Sequence, residues 1–342
     1  MFESVSDRSS PNWTLRFAGT ALAIALIAGL VWLLRMIQMP LKSYSQPLPQ
    51  MSSAQSELKG RLSTEVKYLS ETIGERNVWR TGSLQAVVNH LRSNLQQAGY
   101  AVTERAYRVE GQEVSNLEVS IGGSESSGET VVVGAHYDTV AGTVGADDNA
   151  TGVAAVLELA RLLRDSKPRK NLRFVIFVNE EPPFFQTDRM GSLVYAQQLR
   201  RENVKVSAMI SLEMLGFYSD VPGSQKYPAL LSLFYPRRGN FIAFVGKSES
   251  RALVRRSIRA FRESTDFPSE GIAAPAEWPG VGWSDQWSFW REGYPAIMIT
   301  DTALFRYPYY HTPLDTADHL DLGRMARVVE GVQRVVESLS ED

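Results

Sequence analysis

Five short apolar runs constrain the fold of this chain more than any other feature: 130–135 (TVVVGA), 172–178 (LRFVIFV), 206–212, 241–245 and 296–300. Runs of this length, bounded by turn-forming text, read as strands buried on both faces. Helical stretches alternate with them, at 152–163 (GVAAVLELARLL), 191–200 and 322–339, and Ser83 reads as the N-cap of a helix through Gln97 that Gly99 stops. Alternation without an internal repeat predicts one α/β domain, three-layered, with a mostly parallel central sheet and helices on both faces.

Ahead of this domain, residues 17–34 read FAGTALAIALIAGLVWLL, eighteen positions without a charge between Arg16 and Arg35. That length suffices to span a bilayer, and Trp13 and Trp32 sit near its ends, where amphipathic rings favour the interface. A cleaved signal peptide is the rival reading. The run exceeds the usual apolar core of such a peptide, and WLLRMIQMPLK offers no small-x-small cleavage site. A single transmembrane anchor is therefore expected. Arg8 and Arg16 before it balance Arg35 and Lys42 after it, so the charges encode no orientation. The expected organisation is a tail at 1–16, an anchor at 17–34, a Ser, Gln and Pro-rich linker at 35–56, and a globular domain at 57–342.

Lys plus Arg number 36 against 38 for Asp plus Glu, which leaves no basic excess for a nucleic-acid backbone. Cysteine is absent, so disulfides, thiolate metal sites and cysteine nucleophiles are excluded. A transition-metal site would have to use Asp, Glu and the four histidines, His90, His136, His311 and His319. Acidic and His residues fall at the carboxyl ends of the expected strands. His136 follows the first, Glu180 and Glu181 the second, Glu213 the third, and His311 the last, while Asp148 lies in GADDNATG before the helix at 152. Open α/β sheets build ligand sites outside that edge, so these residues can converge. Two imidazoles and several carboxylates suit zinc, with manganese or cobalt also compatible. Adjacent Glu180 and Glu181 point to a division of labour in hydrolysis, one binding metal and the other moving the proton of a water.

GAHYDTV, GADDNATG, NEE, SLEMLG and YYHTPLDT, in this order, resemble the di-zinc exopeptidases typified by bacterial leucyl aminopeptidase and aminopeptidase Y, with glutamate carboxypeptidase and glutaminyl cyclase as relatives. The resemblance covers about residues 57 to 342. It implies a zinc-exopeptidase-like fold and two zinc ions: His136 and Glu213 as terminal ligands of one, Glu181 and His311 of the other, and Asp148, rather than Asp147, as the bridge. It further implies Glu180 as general base and Asp138 as a carboxylate that orients a ligand. Two features depart from the family pattern. Glu213 stands where many relatives have Asp, and PPFFQTDRMGS follows NEE as an insertion expected to wall or cover the site. Retention of both His136 and His311 argues against a single-zinc glutaminyl cyclase.

Other features read as structural. His90 and His319 are expected on the surface or on helices. The sequon at Asn149 is set aside, because a glycan beside a bridging ligand would block the site. Arg251, Arg255, Arg259 and Arg262 share a helical face that could meet anionic lipid, although a solvated face is the default. Of Trp278, Trp283, Trp287 and Trp290, about half are expected in the core and the rest in an apolar side-chain pocket. The resulting expectation is a metal-dependent exopeptidase, most simply an aminopeptidase acting on peptides. It is single-pass in the cell (inner) membrane with the catalytic domain on the periplasmic or extracellular side, has no nucleic-acid partner, and its oligomeric state is not encoded. A catalytically degenerate scaffold or receptor ectodomain, and an amidohydrolase acting on carboxy-terminal or N-acyl amides, are the alternatives.

Overall fold

A computed structural model describes residues 13–126 and 128–341. The chain divides between Gln38 and Met39. The first unit contains helix α1 (Trp13–Ile37), of which Phe17–Ile37 is long and apolar enough to cross a membrane. The second unit runs in order through α2 (Ser53–Lys67), α3 (Ser83–Gln97), β1 (Thr103–Val109), β2 (Gln112–Ile121), β3 (Glu129–His136), α4 (Gly152–Leu163), β4 (Asn171–Phe177), α5 (Gly191–Arg201) and β5 (Lys205–Glu213). It continues through β6 (Ile242–Lys247), α6 (Arg251–Ser264), β7 (Ser269–Ala274), α7 (Gln286–Arg291), β8 (Ala296–Thr300) and α8 (Leu322–Glu341).

The strands form one sheet in the order β1-β2-β4-β3-β5-β8-β6-β7. β4, β3, β5 and β8 are mutually parallel, the β1–β2 hairpin adds antiparallel to β4, and the parallel pair β6–β7 adds antiparallel to β8. Helices α2, α3, α4, α6 and α8 pack with one another on one face, and α5 packs with α7 on the other. The mixed three-layer α/β architecture is thus present, with the parallel strands at its centre. Val131, Val132 and Val133 in β3 are wholly buried, each contributing roughly 1.5–3 kcal/mol of apolar burial. A strand covered by helices on both sides has no solvent face, so its sequence carries no polar alternation.

The apolar runs did not mark β1, β2 and β7. β1 (TERAYRV) is an edge strand with mostly exposed or half-exposed side chains, and β7 occupies the other edge. Ser83 is the first residue of α3 and not its cap; Gly82 holds the cap position, and the Ser83 hydroxyl donates to the carbonyl of Arg80 at 2.9 Å. The stretch expected as an exposed linker is largely exposed between 41 and 50, but it is pinned to the catalytic unit at several points. Ser52 and Gln55 form a reciprocal capping box that starts α2, which satisfies two donors at the helix end. Met39, Leu48 and Met51 lie against the core. Arg262, at the end of α6, donates to the carbonyls of Pro40 and Leu41 at 3.0 and 2.9 Å. Arg327 of α8 donates to that of Pro49.

Candidate metal centre

The carboxyl ends of β4, β3, β5 and β8 lie side by side, and these ends with the loops leaving them bring five carboxylates and two imidazoles together, His311 coming from the segment after β8. His136 ends β3, and its Nε2 lies 3.3 Å from Asp148 Oδ1 and 3.4 Å from Glu213 Oε2. His311 Nε2 lies 3.1 Å from Asp148 Oδ2 and 3.3 Å from Glu181 Oε2. The two oxygens of Asp148 therefore face different imidazoles. Each resulting trio, His136–Asp148–Glu213 and Asp148–Glu181–His311, offers ligand atoms within 4.8 Å of one another. Glu180 Oε2 is 3.8 Å from His136 Nε2, and Glu180 lines one cavity with Asp148, Glu181, Glu213 and His311.

Backbone contacts hold these groups in place. Asp138 accepts the N–H of Glu180 on Oδ1 and that of Glu181 on Oδ2, both at 3.1 Å, so a carboxylate from the β3 loop orients the pair after β4. Asp315 does the same for the Asp148 turn, accepting the N–H groups of Asp147 and Asp148 at 2.8 and 3.1 Å. Asp147 points elsewhere: its Oδ1 accepts from the Gly216 N–H at 2.9 Å and from the Thr151 hydroxyl. The Asn149 amide is buried between β5 and the start of α4, donating to the Leu212 carbonyl at 2.9 Å and accepting from Met214 N, so no glycan fits there. A Cβ at Gly152 would collide with Asn149 Oδ1 and the Leu212 carbonyl, which accounts for the closing glycine of GADDNATG. Glu213, longer than Asp by a methylene, accepts a 2.6 Å hydrogen bond from the Ser284 hydroxyl.

The electrostatics fit a cation. Asp148 Oδ1 and Glu181 Oε1 are buried without a hydrogen-bond partner, and such atoms are costly unless something polar meets them. Burial, with Asp148 adding to it, pushes the Glu181 carboxyl up to about 8. Burial also drives Glu180 well above the usual carboxylate range and raises Glu213. Burial alone would lower the His311 pKa, yet its contacts with Asp148 and Glu181 raise it to about 10. Crowded carboxylates hold protons when no cation sits between them, and bound divalent ions would replace those protons. All donors are N or O, a set that fits zinc.

Sequence reasoning passed over Arg76, which is wholly buried. Its guanidinium donates only to backbone carbonyls: Tyr137 at 2.7 Å, Leu69 at 3.1 Å, Gly74 at 2.9 Å, Val144 at 2.6 Å and Gly145 at 2.8 Å. It thereby ties the loop after β3 to the turn that carries Asp148. Asp315 and Ser284 were also missed as supports; Asp315 sits inside YYHTPLDT, four residues after His311. His90 lies on α3, where its Nε2 is 2.8 Å from Glu65, and His319 stacks on Tyr309, both outside the cluster. The insertion after Glu181 does form a wall: Pro182 and Phe185 line the cavity, and Phe184 stacks on Trp79. Trp290 is buried, while Trp278 and Trp283 line a second, largely apolar cavity that also touches Glu213.

A model of peptidase family M28 matches residues 116–336, which include this whole cluster. The chain belongs to peptidase family M28. As an M28 protein it is a metallopeptidase of the zinc-dependent exopeptidase class. It is 40% identical over 281 residues to the uncharacterized protein YfbL of Escherichia coli (strain K12), covering 80% of this chain and 85% of that one. It is 28% identical over 218 residues to aminopeptidase YwaD of Bacillus subtilis (strain 168), covering 61% of this chain and 40% of that one. In fold, this M28 chain is similar to BSAP, a zinc aminopeptidase from Bacillus subtilis, with a TM-score of 0.67 at 14% identity over 87% of this chain and 97% of the other. LapB from Legionella pneumophila gives 0.66 at 19% identity over 92% and 81%. The glutaminyl cyclase of Porphyromonas gingivalis gives 0.61 at 20% identity over 81% and 97%.

Proposed function

We propose that this M28 peptidase is a membrane-anchored aminopeptidase that holds two zinc ions. His136 and Glu213 complete one site, Glu181 and His311 the other, and Asp148 contributes one oxygen to each. Glu180 is the general base, and Asp138 orients the glutamate pair. Residues 17–34 are the anchor, and residues 57–342 contain the catalytic machinery.

The aminopeptidase reading is carried by the lining of the site cavity: Asp148, Glu180, Glu181, Pro182, Phe185, Glu213, Trp283, Tyr310 and His311, with no Lys or Arg among the described lining residues. A peptide's free ammonium is attracted to such a carboxylate-rich wall, whereas a substrate carboxylate would need a cationic partner there. Next to it, the apolar cavity touching Glu213 is lined by Leu231, Ile272, Trp278, Val281 and Met298, and suits an apolar first side chain.

Bound zinc supplies a lowered pKa for water and polarises the scissile carbonyl. This chain's residues do the rest. Glu180, in the same cavity as the proposed ligands and 3.8 Å from His136 Nε2, accepts a proton from the attacking water at a carboxylate oxygen and returns it to the departing amine. Pro182 and Phe185 exclude bulk water from one side of the cavity, which strengthens every charge interaction inside it.

Purified full-length protein, assayed on one peptide with a free amine and on the same peptide N-acetylated, tests the reading. Chelator-sensitive cleavage of the free-amine form alone is expected. Equal cleavage of both forms, or preference for the acetylated one, would make it an amidohydrolase of another specificity.

A further inference from the structure

The anchor and the catalytic unit are separated by almost no chain. Helix α1 ends at Ile37, and Met39 already packs against the core. Two residues of extended backbone reach at most about 7 Å, so whatever angle the helix takes, the bilayer surface lies close to the point where Met39 is fixed. That point is the outer edge of β7. The Met39 side chain lies against Gly271, the Ser269 N–H donates to Ser43 Oγ at 2.9 Å, and Arg262 holds the Pro40 and Leu41 carbonyls.

Around this edge the surface is apolar and basic together. Tyr235 donates to the Gly271 carbonyl at 2.7 Å, which ties the loop carrying Leu233 and Phe234 to the β7 edge that Met39 packs against. Leu233 is 72% exposed and Leu41 52%, and Phe234, Leu304 and Trp283 are also exposed. Leu304 and Trp283 line the apolar cavity together with Tyr235 and Gly271, so the cavity adjoins this patch. Lys226, Arg237 and Arg238 are exposed on the same loops. Those loops are joined by the N–H of Lys226 donating to the Phe305 carbonyl and that of Gly223 to the Arg237 carbonyl. Lys42 is exposed on the strap itself. Large exposed apolar side chains interleaved with Lys and Arg are what an anionic lipid interface selects.

We infer that this face of the catalytic unit lies on the anionic bilayer surface, with Leu41, Leu233 and Phe234 entering the interfacial layer and the apolar cavity opening toward it. The inference rests on the anchor reading above. It gives the arginines of α6 a divided role. Arg262 clamps the strap, and exposed Arg259 lies one turn before it, near the same surface.

The chain has no cysteine, so a single Leu233→Cys carries a unique fluorescent label. The full chain is reconstituted in vesicles of phosphatidylcholine with phosphatidylglycerol, and quenching by nitroxide-labelled lipid is read against Glu113→Cys, on the β1–β2 hairpin at the opposite edge of the sheet. Several-fold stronger quenching at 233 than at 113 is expected, falling when Lys226, Arg237 and Arg238 are changed to Gln. Equal quenching at the two positions, with the chain retained after an alkaline wash, overturns the inference and leaves the anchor reading standing. A blue-shifted but unquenched label at 233 overturns it in favour of a second copy of the chain on this face. Loss of the chain from the vesicles in the wash removes the anchor reading and this inference with it.

Discussion

Asp138 Oδ1 accepts the backbone N–H of Glu180 at 3.1 Å, so the proposed base is positioned by a carboxylate that lies two residues after His136. Its second oxygen holds Glu181 N at the same distance. Replacing Asp138 by Asn puts a donor where an acceptor is needed and loosens both glutamates. A 10–100-fold loss in zinc affinity or kcat/KM is expected for Asp138→Asn, measured by competition with a chelator and by peptide hydrolysis.

Glu180→Gln retains shape and removes the proton acceptor. Turnover should fall by roughly 10²–10⁴-fold with metal content unchanged by elemental analysis. Full activity in this variant would displace Glu180 from the role of base.

Asp148 faces both imidazoles, with Oδ1 toward His136 and Oδ2 toward His311. Asp148→Asn should therefore weaken both proposed metal sites together, and dialysed protein should hold fewer than one equivalent where two are expected in the parent. Retention of two equivalents would show that the ions are held without it. Chelation of the parent should abolish hydrolysis, with recovery on adding zinc.

Arg76 donates to five carbonyls in the interior, and burial lowers its pKa only to about 10, so it stays charged at neutral pH. Arg76→Met would strand those acceptors, at a cost of at least about 3 kcal/mol. The urea midpoint of the metal-loaded protein measures this. A midpoint within error of the parent would mean that the loops hold without the guanidinium.

Tyr100 donates to the Ala160 carbonyl at 2.8 Å, and burial pushes its phenol up to about 12. Between its ordinary value of 10.0 and about 12, the folded state keeps a proton that the unfolded chain releases. Its share of stability is therefore complete below about pH 10 and is lost as pH rises toward 12. Tyr100→Phe should flatten the fall in urea midpoint over that window relative to the parent.

The centre of the molecule was legible before any coordinates. A strand such as TVVVGA, covered on both faces, must be apolar throughout, and ordered motifs such as GADDNATG and YYHTPLDT place their acidic and His residues at strand ends, where an open sheet leaves room for a ligand. Edge strands were not legible, because β1 (TERAYRV) meets solvent and its text resembles any exposed segment. Nor were the supports of the site. Arg76 looks like a surface arginine in GERNVW, and only the closing of the β3 loop over the Asp148 turn gives it buried carbonyls to bond.

The same division applies to the segment after the anchor. Its Ser, Gln and Pro composition signals low intrinsic order, and composition reports only what a segment can do alone. Whether it stays loose depends on partners remote in sequence. Arg262, Ser269 and Arg327 offer hydrogen bonds that Pro40, Ser43 and Pro49 can meet, so the strap is ordered by groups more than two hundred residues away. The residue types and their order determined which chemistry was possible here. Which backbone groups were left for Arg76, Asp138 and Asp315 to bond was decided by the packing of the sheet, because a hydrogen bond depends on distance and direction, and neither is written in the local sequence.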